Sequence, residues 1–262
     1  MSKSDQISSP TIFSGCDSNY WRQYGKSFVN SFKHFNPDKN VHIHLCNPEQ
    51  QVLDEINSVP CNYSVQYITH DTLKNSANIT KKYVLDELKN EELKSKIKFS
   101  LKFFTEGSDD EKYYNQIKFI YFACSRFIKL SEIWSGEHPV AAYDIDSICK
   151  GPIQFSDMLQ TRSEGCLSVK GNRFVVSLAA FQQSSKMLRD WGDHLKRSFQ
   201  EENLWGFLDQ DTFVELSKKY NVHPIEKKFC DHTSKNQGAL VITGKGQRKH
   251  GDFFKQEINK WR

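Results

Sequence analysis

The feature that most narrows the fold is the order strand, helix, strand between Thr11 and Leu45. Thr11 to Ser14 follows a polar leader and stops at Gly15, the pattern of a short strand entering a turn. Tyr20 to Phe35 then carries Tyr24, Phe28, Phe32 and Phe35 at helical spacing and ends before Asn36-Pro37. Val41 to Leu45 is a second strand, stopped by Asn47-Pro48. Such a unit predicts a right-handed crossover between parallel strands, the opening of an α/β sheet.

The rest of the chain extends that pattern. Val65 to Ile68 is a third short strand. Thr72 to Asp110 is rich in Lys and Glu and predicts helices with solvated faces, an insertion or a lid. Ile117 to Ile133 is apolar apart from Arg126 and predicts a buried helix. Pro139 to Tyr143 is a strand that runs straight into Asp144-Ile145-Asp146. Phe174 to Ala180 is a further strand, and Ser184 to Gln200 a helix with Met187, Leu188, Trp191 and Leu195 on one face. Asp209 to Tyr220 is another helix, and Ala239 to Ile242 a late strand leading into the basic segment 243–249. The expected fold class is α/β, a mostly parallel mixed sheet flanked by helices. At 262 residues one domain is expected, behind a disordered leader over residues 1–10.

Composition excludes more than it selects. With 36 Lys and Arg against 32 Asp and Glu the formal charge is +4, scattered rather than run together. It suits an anionic small-molecule ligand as well as a weak nucleic-acid contact and so discriminates little, and nucleic acid is not among the expected partners. Seven cysteines, an odd number with no CxxC pair, point away from a disulfide scaffold or zinc site and toward reduced thiols. The first ten residues lack an apolar signal core and no run approaches the length of a membrane span, so a cytoplasmic protein is expected, with the sequons at Asn62 and Asn78 unused.

Chemistry concentrates at Asp144 and Asp146. Residues two apart in a strand project to one side, so both carboxylates can converge at the carboxyl end of the sheet, where α/β proteins place their ligand crevices. Paired hard oxygens there suit a magnesium or manganese ion against a diphosphate. An Asp-x-Asp at a strand end is also ordinary turn chemistry. Arg126, embedded in an apolar helix, needs an anionic partner unless it exits to the surface. Lys245, Arg248 and Lys249, with Gly244 and Gly246, form either a phosphate-approaching loop or a solvated basic tail. Asp209-Gln210 either caps its helix or faces a sugar.

Taken in order, Thr11 to Asp17, Ser125-Arg126, Asp144-Ile145-Asp146, Asp209-Gln210 and the Lys-Gly-Gln-Arg-Lys249 tail resemble the glycosyltransferases of the single-Rossmann (GT-A) fold. Within it the chain is similar to family 8, the glycogenin and galactosyltransferase-like group. The resemblance implies a sugar moved from a nucleoside diphosphate sugar, UDP-linked in that family, to a hydroxyl of a glycan, protein or other acceptor, with retention of configuration and manganese or magnesium as cofactor. It implies that Phe13, Ser14 and Gly15 line the nucleoside pocket, with Tyr20 or Tyr24 packing on the base. Arg126 would contact the Asp-x-Asp region and the donor. Asp144, Ile145 and Asp146 would hold metal and pyrophosphate, Asp209 and Gln210 would face the transferred sugar, and Gly246 and Lys249 would meet the leaving diphosphate. The family has a metal-binding His where this chain has Thr243, a poorer ligand. The alternatives are a nucleotidyltransferase, which usually carries a richer glycine signature than Ser14-Gly15, and a nucleotide-sugar-binding module with weakened catalysis.

Overall fold

The computed structural model describes residues 6–87, 110–160, 163–170, 173–201, 204, 208–233, 236, 238–244 and 249–262. The opening unit folds as its pattern predicts: β1 (Thr11–Cys16) and β2 (Asn40–Cys46) pair in parallel across a helical crossover. That crossover comprises α1 (Ser18–Tyr20), a π-helical turn over Trp21–Gly25, and α2 (Lys26–Phe35). After α3 (Gln50–Ile56), β3 (Asn62–Gln66) joins the far side of β2. This strand begins and ends earlier than the expected Val65 to Ile68.

Next come α4 (His70–Glu87) and α5 (Asp110–Ile133); the remainder of the expected insertion, 88–109, lies outside the described residues. Then β4 (Val140–Tyr143) pairs in parallel with β1. A two-stranded ribbon is made by β5 (Ser147–Cys149) and β9 (Val241–Thr243), and α6 (Phe155–Met158) follows β5. On the other side of β4 lie β7 (Arg173–Phe181), β6 (Gly165–Lys170) and β8 (Val222–Pro224). The seven-stranded order is β3-β2-β1-β4-β7-β6-β8. Only β7 runs against the others, pairing antiparallel with both β4 and β6. Further helices among the described residues are α7 (Lys186–Gln200), α8 (Leu208–Leu216) and α9 (Asp252–Asn259).

Strand alternation divides the core between the two faces of the sheet. Ile12, Ala141 and Tyr143 point toward Phe28, Phe32 and Phe254 of α2 and α9. Phe13, Val140 and Ala142 point the other way, toward Ile117 and Phe127 of α5, Trp191 of α7 and Phe213 of α8. Both faces are therefore covered, as a mostly parallel sheet requires. Residues 6–10 are not loose. Ile7 is buried, its N–H donates to the Ile133 carbonyl at 2.8 Å, and its carbonyl accepts from Ser135 Oγ. Among the described residues no helix is long and apolar enough to cross a membrane.

Candidate functional site

Because β1 and β4 run side by side in one direction, the end of β1 with the residue after it, Gly15 to Asp17, and the turn after β4, Asp144 to Asp146, lie at the same edge of the sheet. There they line a cleft of about 490 Å³. The Asp-Ile-Asp triplet is a turn between β4 and β5 rather than an extension of the strand. The carboxylates share the cleft because that turn is held on both sides: the Asp144 N–H donates to the Ser177 carbonyl of β7 at 3.0 Å, and the Asp146 carbonyl accepts from Gly244 N at 2.8 Å.

Each carboxylate faces a cation. Arg126 is buried, with Nη1 2.7 Å from Asp144 Oδ1 and Nη2 3.9 Å from Asp209 Oδ2. Nη2 also donates to the Val176 carbonyl at 3.3 Å. The approach of α5 to β1 that permits this depends on Gly15: a Cβ there would stand 2.6 Å from Arg126 Cβ. Lys249 ion-pairs with Asp146 and lies 4.8 Å from the centre of the Tyr20 ring and 5.8 Å from that of Tyr24. Burial works against the ammonium charge, but the Asp146 carboxylate and the Tyr20 phenol overcome it, and the lysine is held above its ordinary pKa. Asp209 and Gln210 open α8, where Asp209 Oδ1 accepts the Gln210 N–H at 2.9 Å.

Of the residues singled out from the sequence, Gly15, Tyr20, Arg126 and Lys249 line the cleft, as do Asp144, Ile145, Asp146, Asp209 and Gln210. Phe13 and Ser14 do not. Strand alternation turns Phe13 into the core, where it stacks on His42 at 5.4 Å, and the Ser14 hydroxyl donates to the Tyr143 carbonyl at 2.8 Å. Tyr24 is buried behind Tyr20, against Phe254. Thr243 is fully buried and its hydroxyl is engaged with Ser147 Oγ at 3.0 Å and Cys230 Sγ at 3.5 Å, so it is not presented to the cleft. His232 and His250, the nearby imidazoles, do not line it either. Gly246, with Lys245 and Arg248, lies outside the described residues.

One wall of the cleft is not evident from sequence. The apolar pattern from Ile117 to Ile133 predicts a buried helix, whereas α5 has two faces: Tyr113, Ile117, Ile120, Cys124 and Phe127 pack inward, while Asn115, Lys118, Phe119 and Phe122 line the cleft. A helical wheel separates these stripes, but Phe119 and Phe122 are apolar and blur the division. Cys16, Asp17 and Gly244 also line it.

No protein-family profile and no curated protein matches the sequence. In structure, the chain is similar to the galactosyltransferase LgtC, solved with donor and acceptor sugar analogues. The TM-score is 0.54 at 11% identity, over 96% of this chain and 96% of that one. It is also similar to the glycosyltransferase GlyE of Streptococcus pneumoniae TIGR4, with a TM-score of 0.55 at 12% identity, over 97% of this chain and 63% of GlyE. The fold is that of the GT-A glycosyltransferases.

Proposed function

We propose that the protein is a glycosyltransferase that moves a sugar from a nucleoside diphosphate sugar, a UDP-sugar, to a hydroxyl acceptor with retention of configuration. The observation that carries the reading is the meeting of Asp144, Asp146, Arg126, Asp209 and Lys249 in one cleft at the carboxyl ends of β1 and β4. The GT-A fold adds support, and retention rests on the resemblance to family 8.

In this reading the nucleoside lies along Gly15, Asp17 and Tyr20. The diphosphate lies against Asp146, Gly244 and Lys249, and the transferred sugar faces Arg126, Asp209 and Gln210. Asp144 and Asp146 would hold the divalent cation. Among the described residues no cluster of three metal-binding side chains exists. Two carboxylates nevertheless fit a magnesium-type ion, which takes one or two protein carboxylates and fills its other positions with phosphate oxygens and water. Such an ion, when bound, supplies charge neutralisation to the diphosphate. Lys249 acts on the same group: its ammonium strengthens its hold as negative charge grows on the departing phosphate. Arg126 fixes Asp144 and Asp209 relative to each other.

Thermal unfolding with UDP, with and without magnesium or manganese, tests the donor site, because a ligand selective for the folded state raises its stability. UDP release from UDP-glucose and UDP-galactose tests turnover. A shift with UDP plus cation and release of UDP are expected; no response to any nucleoside diphosphate would sink the reading.

A further inference from the structure

The cleft continues past its charged groups along α5. Asn115, Lys118, Phe119, Phe122 and Arg126 recur at spacings of three and four residues and all line it. At 1.5 Å per residue this stripe runs about 16 Å from Arg126 toward the start of the helix. Phe119 is 53% exposed, although the opposite stripe of the same helix is buried. A phenyl ring left open inside a concave site is a contact surface. Lys118 holds its ammonium 5.6 Å from the centre of the Phe122 ring and makes no ion pair among the described residues. The stripe thus lines the cleft with a flat aromatic surface, an amide and a cation.

We propose that this stripe is an acceptor subsite for a pyranose carrying an anionic substituent, a phosphate or a carboxylate. The proposal rests on the glycosyl-transfer reading, in which Arg126 marks the sugar end of the donor. The stripe starts at Arg126 and continues for about three turns of α5 toward its N-terminal end along the same cleft, and the proposal assigns that stretch to the acceptor's side of the reacting carbon. The C–H bonds on one face of a pyranose carry slight positive charge and pack on the negative face of a phenyl ring. Asn115 meets ring hydroxyls, and Lys118 meets the anionic group. In the transfer, the acceptor oxygen bonds to the donor's anomeric carbon as that carbon's bond to the diphosphate oxygen breaks. The diphosphate leaves with the electron pair and takes up the hydroxyl proton.

Saturation-transfer NMR with glucose, glucose 6-phosphate and glucuronate, run with and without UDP, tests the proposal. The anionic sugars are expected to bind about tenfold more tightly than glucose. Phe119→Ala should weaken all three at least fivefold, and Lys118→Gln should remove the anionic preference alone, each with unchanged UDP affinity and thermal midpoint. A preference for only the phosphate or only the carboxylate supports the proposal and identifies the substituent. Equal binding of the three sugars, or unchanged binding by Phe119→Ala, overturns it. Failure to bind UDP sinks the glycosyl-transfer reading instead, and the sugar titrations without UDP still report on the stripe.

Discussion

Lys249, just ahead of α9, ion-pairs with Asp146 in the turn after β4, so the end of the chain is tied to the edge of the sheet where the cleft lies. The contact gives Lys249 two separable roles. In catalysis, an interaction that strengthens as the diphosphate departs is read in kcat. Lys249→Ala should lower kcat about 100-fold to 1000-fold, with little change in donor KM. In stability, the variant leaves the buried Asp146 carboxylate without its cation, a loss of about 1–3 kcal/mol, reduced by the water that reaches the lysine end. Kinetics of UDP release and urea unfolding separate the two. A normal kcat in a well-folded variant would remove Lys249 from the chemistry.

Asp144 is predicted to matter to the fold as well as to turnover. Its Oδ1 is the closest anionic group to Arg126, whose side chain is only 8% exposed. Asp144→Ala leaves the guanidinium with the Val176 carbonyl and the more distant Asp209, and should cost about 2–4 kcal/mol. Asp144→Asn keeps an oxygen within reach and should recover part of that stability without recovering turnover. Equal stability of the alanine variant and the parent protein would show that the Arg126 pair is worth nothing to folding.

The sequence made the sheet legible where periodicity was strong. Thr11 to Ser14, Val41 to Leu45 and Pro139 to Tyr143 each found their strand, and Asp144-Ile145-Asp146 found the cleft. Short elements such as β5 and β8 carry too few residues to show a period, and their pairing is set by distant partners: β5 by β9, β8 by β6. Phe13 and Ser14, expected from sequence to line a nucleoside pocket, are instead buried, and Gly15 and Asp17 are the residues of that segment that line the cleft. The parallel direction of β1 and β2 follows from the strand, helix, strand order; which residues meet the cleft depends on the packing of α5, which sequence alone does not supply.

Thr243 sharpens that limit. From sequence alone, Thr243→His would restore a missing metal ligand and tighten manganese binding. The structure reverses the expectation, because the position is fully buried between Ser147 and Cys230. An imidazole there overfills the β5–β9 ribbon and should destabilise the protein by about 1–3 kcal/mol with no gain in manganese affinity. Manganese titration of the folded variant, followed by calorimetry or electron paramagnetic resonance, decides between the two outcomes.

The last prediction concerns acid. His42 and His44 lie side by side on β2, both buried, and share the Ser64 hydroxyl at 3.0 Å. His44 Nε2 lies 3.2 Å from Gln66 Oε1, an acceptor, so Nε2 carries the proton and Nδ1 accepts. Ser64 then donates to His44 Nδ1 and accepts from His42 Nε2–H. Protonating His44 would give that serine two donors and leave its own hydrogen without its partner. Burial lowers both imidazoles, reinforced at His42 by the neighbouring His44 and at both by Lys129 and only partly opposed at His44 by the bond to Gln66, so His42 is lowered to about 3 and His44 to about 4. Since the unfolded chain takes up these protons near pH 6.5 and the folded protein does not, stability is retained above that value and falls as pH drops below it. By pH 5 each imidazole should cost about 2 kcal/mol. Urea midpoints at pH 7, 6 and 5 should decline accordingly, and a His42→Gln, His44→Gln protein should decline less steeply. If the two profiles run parallel, the imidazoles are not held neutral and the hydrogen-bond chain through Ser64 is wrongly assigned.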